Sequence, residues 1–85
     1  MYELILTSNA RRDLQRLDAK IQRQILRKLR HLCENCDGYP HKALKGKYRG
    51  QFKLPSGDYR AIYIYDKRTR TIEVSRIRHR SSVYE

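Results

Sequence analysis

The stretch RIRHRSSVYE at the end of the chain sets Arg76, Arg78 and Arg80 at alternating positions, with His79 between two of them and Tyr84 next to last. Chain ends ordinarily concentrate disorder, so such a density of cationic and titratable groups marks either a solvated tail or a working edge. More cations stand upstream: Lys45, Lys47, Arg49 and Lys53 in LKGKYRGQFKL, and Arg60 in GDYRAIY. Antiparallel neighbours bring distant positions together, so these groups are able to converge on one patch. Tyr48, Tyr59, Tyr63 and Tyr84 interleave with them, the mixture of cations and stacking rings that single-stranded RNA recognition uses. For Tyr59 and Tyr63 ordinary burial offers the plainer role of packing the sheet.

A second set of chemical groups is His31, Cys33, Cys36 and His41, around the motif CENC. Two thiols at this spacing suggest half of a zinc site. However, the apolar stripe of the preceding helix already claims Cys36, and His41 follows Gly38 and Pro40 instead of belonging to a second ligand pair. Two reduced cysteines at a helix end are therefore expected, with neither metal nor cofactor.

The whole chain has 85 residues, too little apolar material for a second core, so a single domain over residues 1–85 is expected. Hydrophobic residues, 39% of the chain, gather in short periodic runs, which favours a globular fold despite 34% charged residues. Twenty Lys and Arg against nine Asp and Glu leave a net charge of +11, which points to a polyanion or an acidic protein as partner. No apolar run approaches the roughly 20 residues of a spanning helix. The opening MYELILTSNARRDL carries Glu3 and no cationic flank, unlike a secretory leader, so a cytoplasmic protein without membrane association is expected.

Positioning such groups falls to a small set of elements. YELILTS reads as a strand, and Ser8 and Asn9 offer N-cap oxygens to a first helix, ARRDLQRL. Asp18 caps a longer second helix, AKIQRQILRKLRHLCEN. There Ile21, Ile25, Leu29, Leu32 and Cys36 form one stripe, while Arg23, Arg27 and Arg30 fall off it and make a basic face. Gly38 and Pro40 close this helix. KYRGQFKL, YRAIYIY and TIEVSRIRHR then read as three strands joined by PSGD and DKRTR turns. The order β-α-α-β-β-β predicts an α+β domain with both helices on one face of a largely antiparallel sheet. Strict alternation in the last strand sets Arg76, Arg78 and Arg80 on the same side as Ile72 and Val74. Either that side runs from apolar to open, or a bulge shifts the register; the sequence is compatible with both.

The opening strand with SNARRDLQRL, then LKGKYRG, GDYRAIY and the terminal HRSSVY, in this order and spacing, resemble the RelE/ParE superfamily of bacterial and archaeal type II toxins over essentially the whole chain. The ending is closer to the RelE branch, which cleaves messenger RNA on the ribosome, than to the ParE branch, which poisons DNA gyrase. The resemblance implies a RelE-like fold and a metal-independent endoribonuclease that cuts messenger RNA in the ribosomal A site. It carries the active positions onto Lys53, Arg60, Arg80 and Tyr84, with Arg78 as the alternative to Arg80. Gln51 stands where the best-known pattern has the first of two lysines, and Lys47 or Arg49 is the available substitute. RNA binding falls to Lys45, Lys47, Arg49, Arg76, Arg78 and His79, and ribosomal contact to Arg23, Arg27 and Arg30. The implied partners are the 70S ribosome, its messenger and a partly acidic antitoxin, joined to the toxin in a hetero-oligomer.

That chemistry is coherent without a metal. RNA carries its own nucleophile, the 2′-hydroxyl, so a base, cations around the phosphate and an acid for the departing 5′-oxygen suffice. Tyrosine, ordinarily titrating near ~10, becomes a base where adjacent cations favour the phenolate. Arginine stays protonated and suits a transition-state clamp. Lys53 could share either role, and His79 is a further acid–base candidate.

Overall fold

The computed structural model describes residues 1–82; Val83, Tyr84 and Glu85 lie outside the described residues. The chain runs β1 (Glu3–Leu6), α1 (Ser8–Gln15), α2 (Ala19–Asn35), β2 (Lys42–Ala43), β3 (Phe52–Ser56), β4 (Tyr59–Asp66) and β5 (Thr71–His79). Among the described residues these strands form one sheet in the order β1-β5-β4-β3-β2. The predicted α+β order holds; the two-residue β2, too short to carry any periodic signal, is an addition to it.

The start of the first helix differs from expectation. Thr7, not Ser8 or Asn9, caps α1: its Oγ1 accepts from the Ala10 N–H at 3.1 Å. The same hydroxyl donates to the Ser75 carbonyl at 3.0 Å, tying the helix start to the sheet. Asp18 does stand at the N-cap of α2, but through its backbone, whose carbonyl accepts from Gln22 N–H at 2.9 Å. Ile25, Leu29, Leu32 and Cys33 of α2 are buried against Leu54, Ala61, Tyr63, Ile72, Val74 and Ile77 of the sheet. The i, i+4, i+7 stripe thus packs as its period dictates.

The hairpin strand begins later than predicted. Gly46–Tyr48 forms a 3₁₀ turn, so Lys45, Lys47 and Arg49 sit in the approach to β3, which starts at Phe52. Gly46 and Gly50 both take left-handed backbone there (φ 65° and 95°), which an extended strand does not accommodate. The β3–β4 turn is also tighter than PSGD suggested. Pro55 and Ser56 remain in the strand, and only Gly57 and Asp58 turn, with Gly57 at φ 58°. A glycine at the first of two turn positions is what a type II′ hairpin requires.

A bulge in β5 resolves the alternation problem. Tyr63 pairs with Val74 but Ile62 pairs with Arg76, so Ser75 is the extra residue. Before the bulge Ile72 and Val74 face the helices; after it Ile77 does. Arg76 and Arg78 consequently turn to the outer face, away from the core.

Candidate nucleic-acid interface

On the outer face, the registers of β2, β3, β4 and β5 build two cross-strand rows. One runs Lys42, Lys53, Ile62, Arg76, and the next runs Pro55, Arg60, Arg78. Ile62 is only 3% exposed yet stands apart from the helix-side core, as does Leu44. In the register Ile62 is paired with Lys53 on one side and Arg76 on the other. Arg60 and Arg78 are direct cross-strand partners on this face.

The terminal candidates divide around this cluster. Arg78 joins it, half-buried. Arg80 lies beyond the strand, where its N–H donates to the Asp58 carbonyl at 2.7 Å and its Nε stands 3.6 Å from Asp58 Oδ1. Arg80 is thus anchored to the hairpin turn. His79 pairs with Tyr59 and meets that ring edge-on at 5.2 Å. Since Tyr59 packs against the helix-side core, His79 is on the opposite side of the sheet from Arg60 and Arg78. Its Nδ1 instead engages Ser81 Oγ at 2.8 Å. Tyr84 lies outside the described residues.

Arg76 is committed to an ion pair. Its Nε and a terminal nitrogen donate to the two carboxylate oxygens of Asp13 at 2.9 and 3.2 Å, and the Ile77 N–H donates to the same carboxylate at 3.0 Å. Burial alone pushes the Asp13 carboxyl up, but the Arg76 and Ile77 hydrogen bonds and the charges of Arg76 and Arg78 hold it below the usual carboxylate range. Arg76 therefore serves the frame of the cationic face as much as its surface. Gln51, on the same face as Lys53, points its Oε1 to Ser75 Oγ at 3.5 Å, beside the bulge.

Of the remaining cations, Lys47 extends over the Tyr48 ring, with Nζ 5.6 Å from its centroid. Arg27 lines, with Lys28, His31, Ser56 and Gly57, a groove of about 580 Å³ between α2 and the hairpin turn. Arg23, Arg27 and Arg30 surround the exposed Leu26 in a second depression, so Arg27 borders both. The basic face of α2 is thus continuous through Arg27.

The CENC region assembles differently from a ligand set. Cys33 and Cys36 are buried free thiols, and burial raises both above the ordinary thiol range. His41 Nε2 lies 2.9 Å from the Cys36 carbonyl, to which it donates, and its Nδ1 lies 2.6 Å from the Tyr63 hydroxyl. The imidazole stacks on Tyr65 at 4.2 Å. Tyr63, fully buried, is a core residue whose phenol burial pushes upward. Among the described residues no group of three or more His, Cys, Asp or Glu stands in a metal-holding arrangement.

Two participants escaped the sequence reading, one with a weak signal and one with none. The spacing of Ile72, Val74 and Ile77, two and then three, is the trace of the bulge. Asp13 has none, being the lone acid in a polar helix.

Comparison with known proteins matches this architecture. By structure, the toxin in the RelBE2 toxin-antitoxin complex of Mycobacterium tuberculosis superposes with a TM-score of 0.81 at 28% identity, covering 92% of this chain and 96% of that one. The isolated RelE toxin of E. coli gives 0.77 at 17% identity, covering 93% and 84%. The YoeB/ParE toxin of Agrobacterium tumefaciens gives 0.74 at 22% identity, covering 91% and 96%. The last two, at such identities, speak for the fold alone. A sequence search of curated proteins finds no match. Residues 4–84 match the family model described as ParE toxin of type II toxin-antitoxin system, parDE. The chain belongs to that family of type II toxins, within the RelE/ParE superfamily.

Proposed function

We propose that this toxin is a ribosome-dependent messenger RNA endonuclease working on the outer face of the sheet around Lys53, Arg60 and Arg78. The observation that carries the reading is the direct cross-strand pairing of Arg60 with Arg78, beside the row that contains Lys53. Two arginines paired across neighbouring strands offer donors from one face, and a phosphate there gains charge-assisted hydrogen bonds from both. The effect grows as negative charge develops on the phosphate in the transition state.

In this reaction the 2′-oxygen attacks phosphorus, a base takes its proton, and the bond to the 5′-oxygen breaks as that oxygen is protonated. Arg60 and Arg78 clamp the phosphate, with Arg80 at the rim beside Asp58. Tyr84 is the base, its phenolate favoured by the cations, and Lys53 assists at the leaving oxygen. His79, on the other side of the sheet, takes no part. Positioning of the message comes from the ribosomal A site. The groove containing Arg27 and Lys28 supplies a salt-dependent anchor to ribosomal RNA phosphates.

The M. tuberculosis relative was solved with its antitoxin, as was an archaeal RelE with RelB from Pyrococcus horikoshii. A cognate antitoxin follows for this chain, partly acidic and ordered on binding, which offsets the toxin's positive charge in a hetero-oligomer. Among the described residues no helix is long and apolar enough to cross a membrane.

The ParE description of the matching family favours a second reading, inhibition of DNA gyrase on the same fold without catalysis. In vitro cleavage of a defined message on 70S ribosomes with an empty A site, 5′ ends mapped by primer extension, decides between them. A cut within the A-site codon that disappears with Tyr84→Phe supports the nuclease. Growth arrest surviving Tyr84→Phe combined with Arg60→Ala and Arg78→Ala sinks it and supports gyrase inhibition.

A further inference from the structure

From the geometry around β5 we infer that Asp13 is a positioning residue for the outer-face arginines, acting through Arg76 and the Ile77 backbone, an inference that rests on the nuclease reading. The sheet creates the need. β1 pairs with β5 only from Thr71 to Val74, so past the bulge the outer edge of β5 passes from strand to helix. There α1 replaces the missing strand piece by piece: Thr7 N–H donates to the Val74 carbonyl, Thr7 Oγ1 donates to the Ser75 carbonyl, and the Asp13 carboxylate accepts from Ile77 N–H. One carboxylate oxygen thus takes the place of a carbonyl in the next strand.

The same carboxylate grips Arg76 at both oxygens, from a helix 63 residues away in sequence. Its side chain is 10% exposed and that of Arg76 38%, so the carboxylate end of this bond is shielded more than the guanidinium end. Ile77 lies between the two arginines in sequence and opposite Ala61. Fixing its backbone fixes the pleat that presents Arg78 across from Arg60. Holding Arg76 by its guanidinium keeps it beside Ile62, in the neighbouring row. Asp13 touches no reacting atom; it decides which arginine meets the phosphate and at what angle.

The test compares Asp13→Asn, Asp13→Glu and Arg76→Ala with the wild type in three measurements on the full chain. These are single-turnover cleavage at saturating toxin on programmed ribosomes, the salt dependence of binding to a short single-stranded RNA with a 2′-deoxy substitution at the cut site, and amide exchange of Ile77. Asparagine keeps the shape of the side chain but removes the charge that holds Arg76. The saturated cleavage rate of Asp13→Asn is expected to fall by about tenfold or more, as orientation losses do. Its RNA affinity should hold or rise, with the salt slope steeper by about one phosphate contact as Arg76 is released. Ile77 exchange should quicken, and Asp13→Glu should recover part of the rate.

A purely structural role makes a different pattern: the rate falls only in proportion to the folded fraction, with the salt slope unmoved. That result, or a saturated rate within about twofold of wild type, overturns the inference. If the wild type itself fails to cut, the nuclease reading falls. The positioning claim is then decided by the other two measurements, an unchanged Ile77 exchange and salt slope in Asp13→Asn overturning it and a change in both upholding it for RNA binding.

Discussion

The two halves of β5 belong to one strand yet answer to different forces. From Thr71 to Val74 the strand is paired on both sides, parallel to β1 and antiparallel to β4, and its inward residues Ile72 and Val74 are fully buried. From Arg76 to His79 it pairs only with β4, its other edge is held by side chains of α1, and its outward residues are arginines. The first half is kept by apolar burial on its inner face and pairing on both edges, the second by buried Ile77 and a small number of polar contacts at its free edge. Burial tolerates no charge but needs little angular accuracy, whereas the proposed phosphate recognition needs both charge and orientation. Ser75, at the junction, lets one strand meet both demands by reversing the faces between them.

Truncation in the first half should break that contrast most strongly. Ile72→Ala is expected to cost about 3 kcal/mol, within the range for buried isoleucine, measured as a drop in the denaturant midpoint at constant slope. Cleavage per folded molecule should stay near wild type, because no outer-face group has moved. In the second half the signs separate. Arg78→Ala should lower saturated cleavage by about 100-fold, as loss of one transition-state donor does, while stability changes by under about 1 kcal/mol. A loss of stability as large as that of Ile72→Ala would show that the second half is structural after all.

Deletion of Ser75 sharpens the junction itself. Without it Val74, Arg76 and Ile77 alternate regularly, so Ile77 still points inward and the fold survives. The Thr7 and Asp13 contacts, spaced for a bulged edge, then fall out of step by one residue. A cost of about 1–2 kcal/mol, from two compromised hydrogen bonds, is expected, together with a tenfold or greater loss of cleavage. Thermal unfolding and the ribosomal assay check the two parts separately. Full activity in the deletion variant would mean that the Thr7 and Asp13 edge contacts do not aim the arginines.

How far the sequence reveals this arrangement depends on the range of the interaction. Local periodicity suffices for α2, whose apolar stripe carries its own phase from Ile25 to Leu32, and for β4, where Ala61, Tyr63 and Tyr65 alternate with Arg60, Ile62 and Ile64. The cationic set containing Lys53, Arg60 and Arg78 is legible as residue types, since three strands in a meander must bring their charges near one another. What is hidden is the register. A bulge changes every facing beyond it, and its only trace is the uneven spacing of three apolar residues. Equally hidden is the different placement of Arg78 and Arg80, because Arg80 is held by Asp58 across a hairpin turn whose length the motif PSGD overstated. Asp13 is the extreme case: its two partners are 63 and 64 residues away, and no local pattern encodes that distance.

The smallest expected effect concerns the protonation of that same carboxylate. Asp13 is held below the ordinary carboxylate range when folded. A depressed acid contributes stability that is fully present above its unfolded value, near pH ~4, and is lost as pH falls through the folded value. Asp13→Asn has lost that contribution at every pH. The difference in unfolding free energy between wild type and Asp13→Asn should therefore be level from neutrality down to about pH 4 and shrink below it. At the plateau it should be about 1–2 kcal/mol: the carboxylate is 10% exposed but its partner Arg76 is 38% exposed, so solvent screens part of the attraction. Urea unfolding of both proteins across this range measures the difference directly. A gap that stays constant to pH 2 would assign the stabilisation to packing of the side chain, and one that widens on acidification would reverse the sign of the coupling between α1 and the second half of β5.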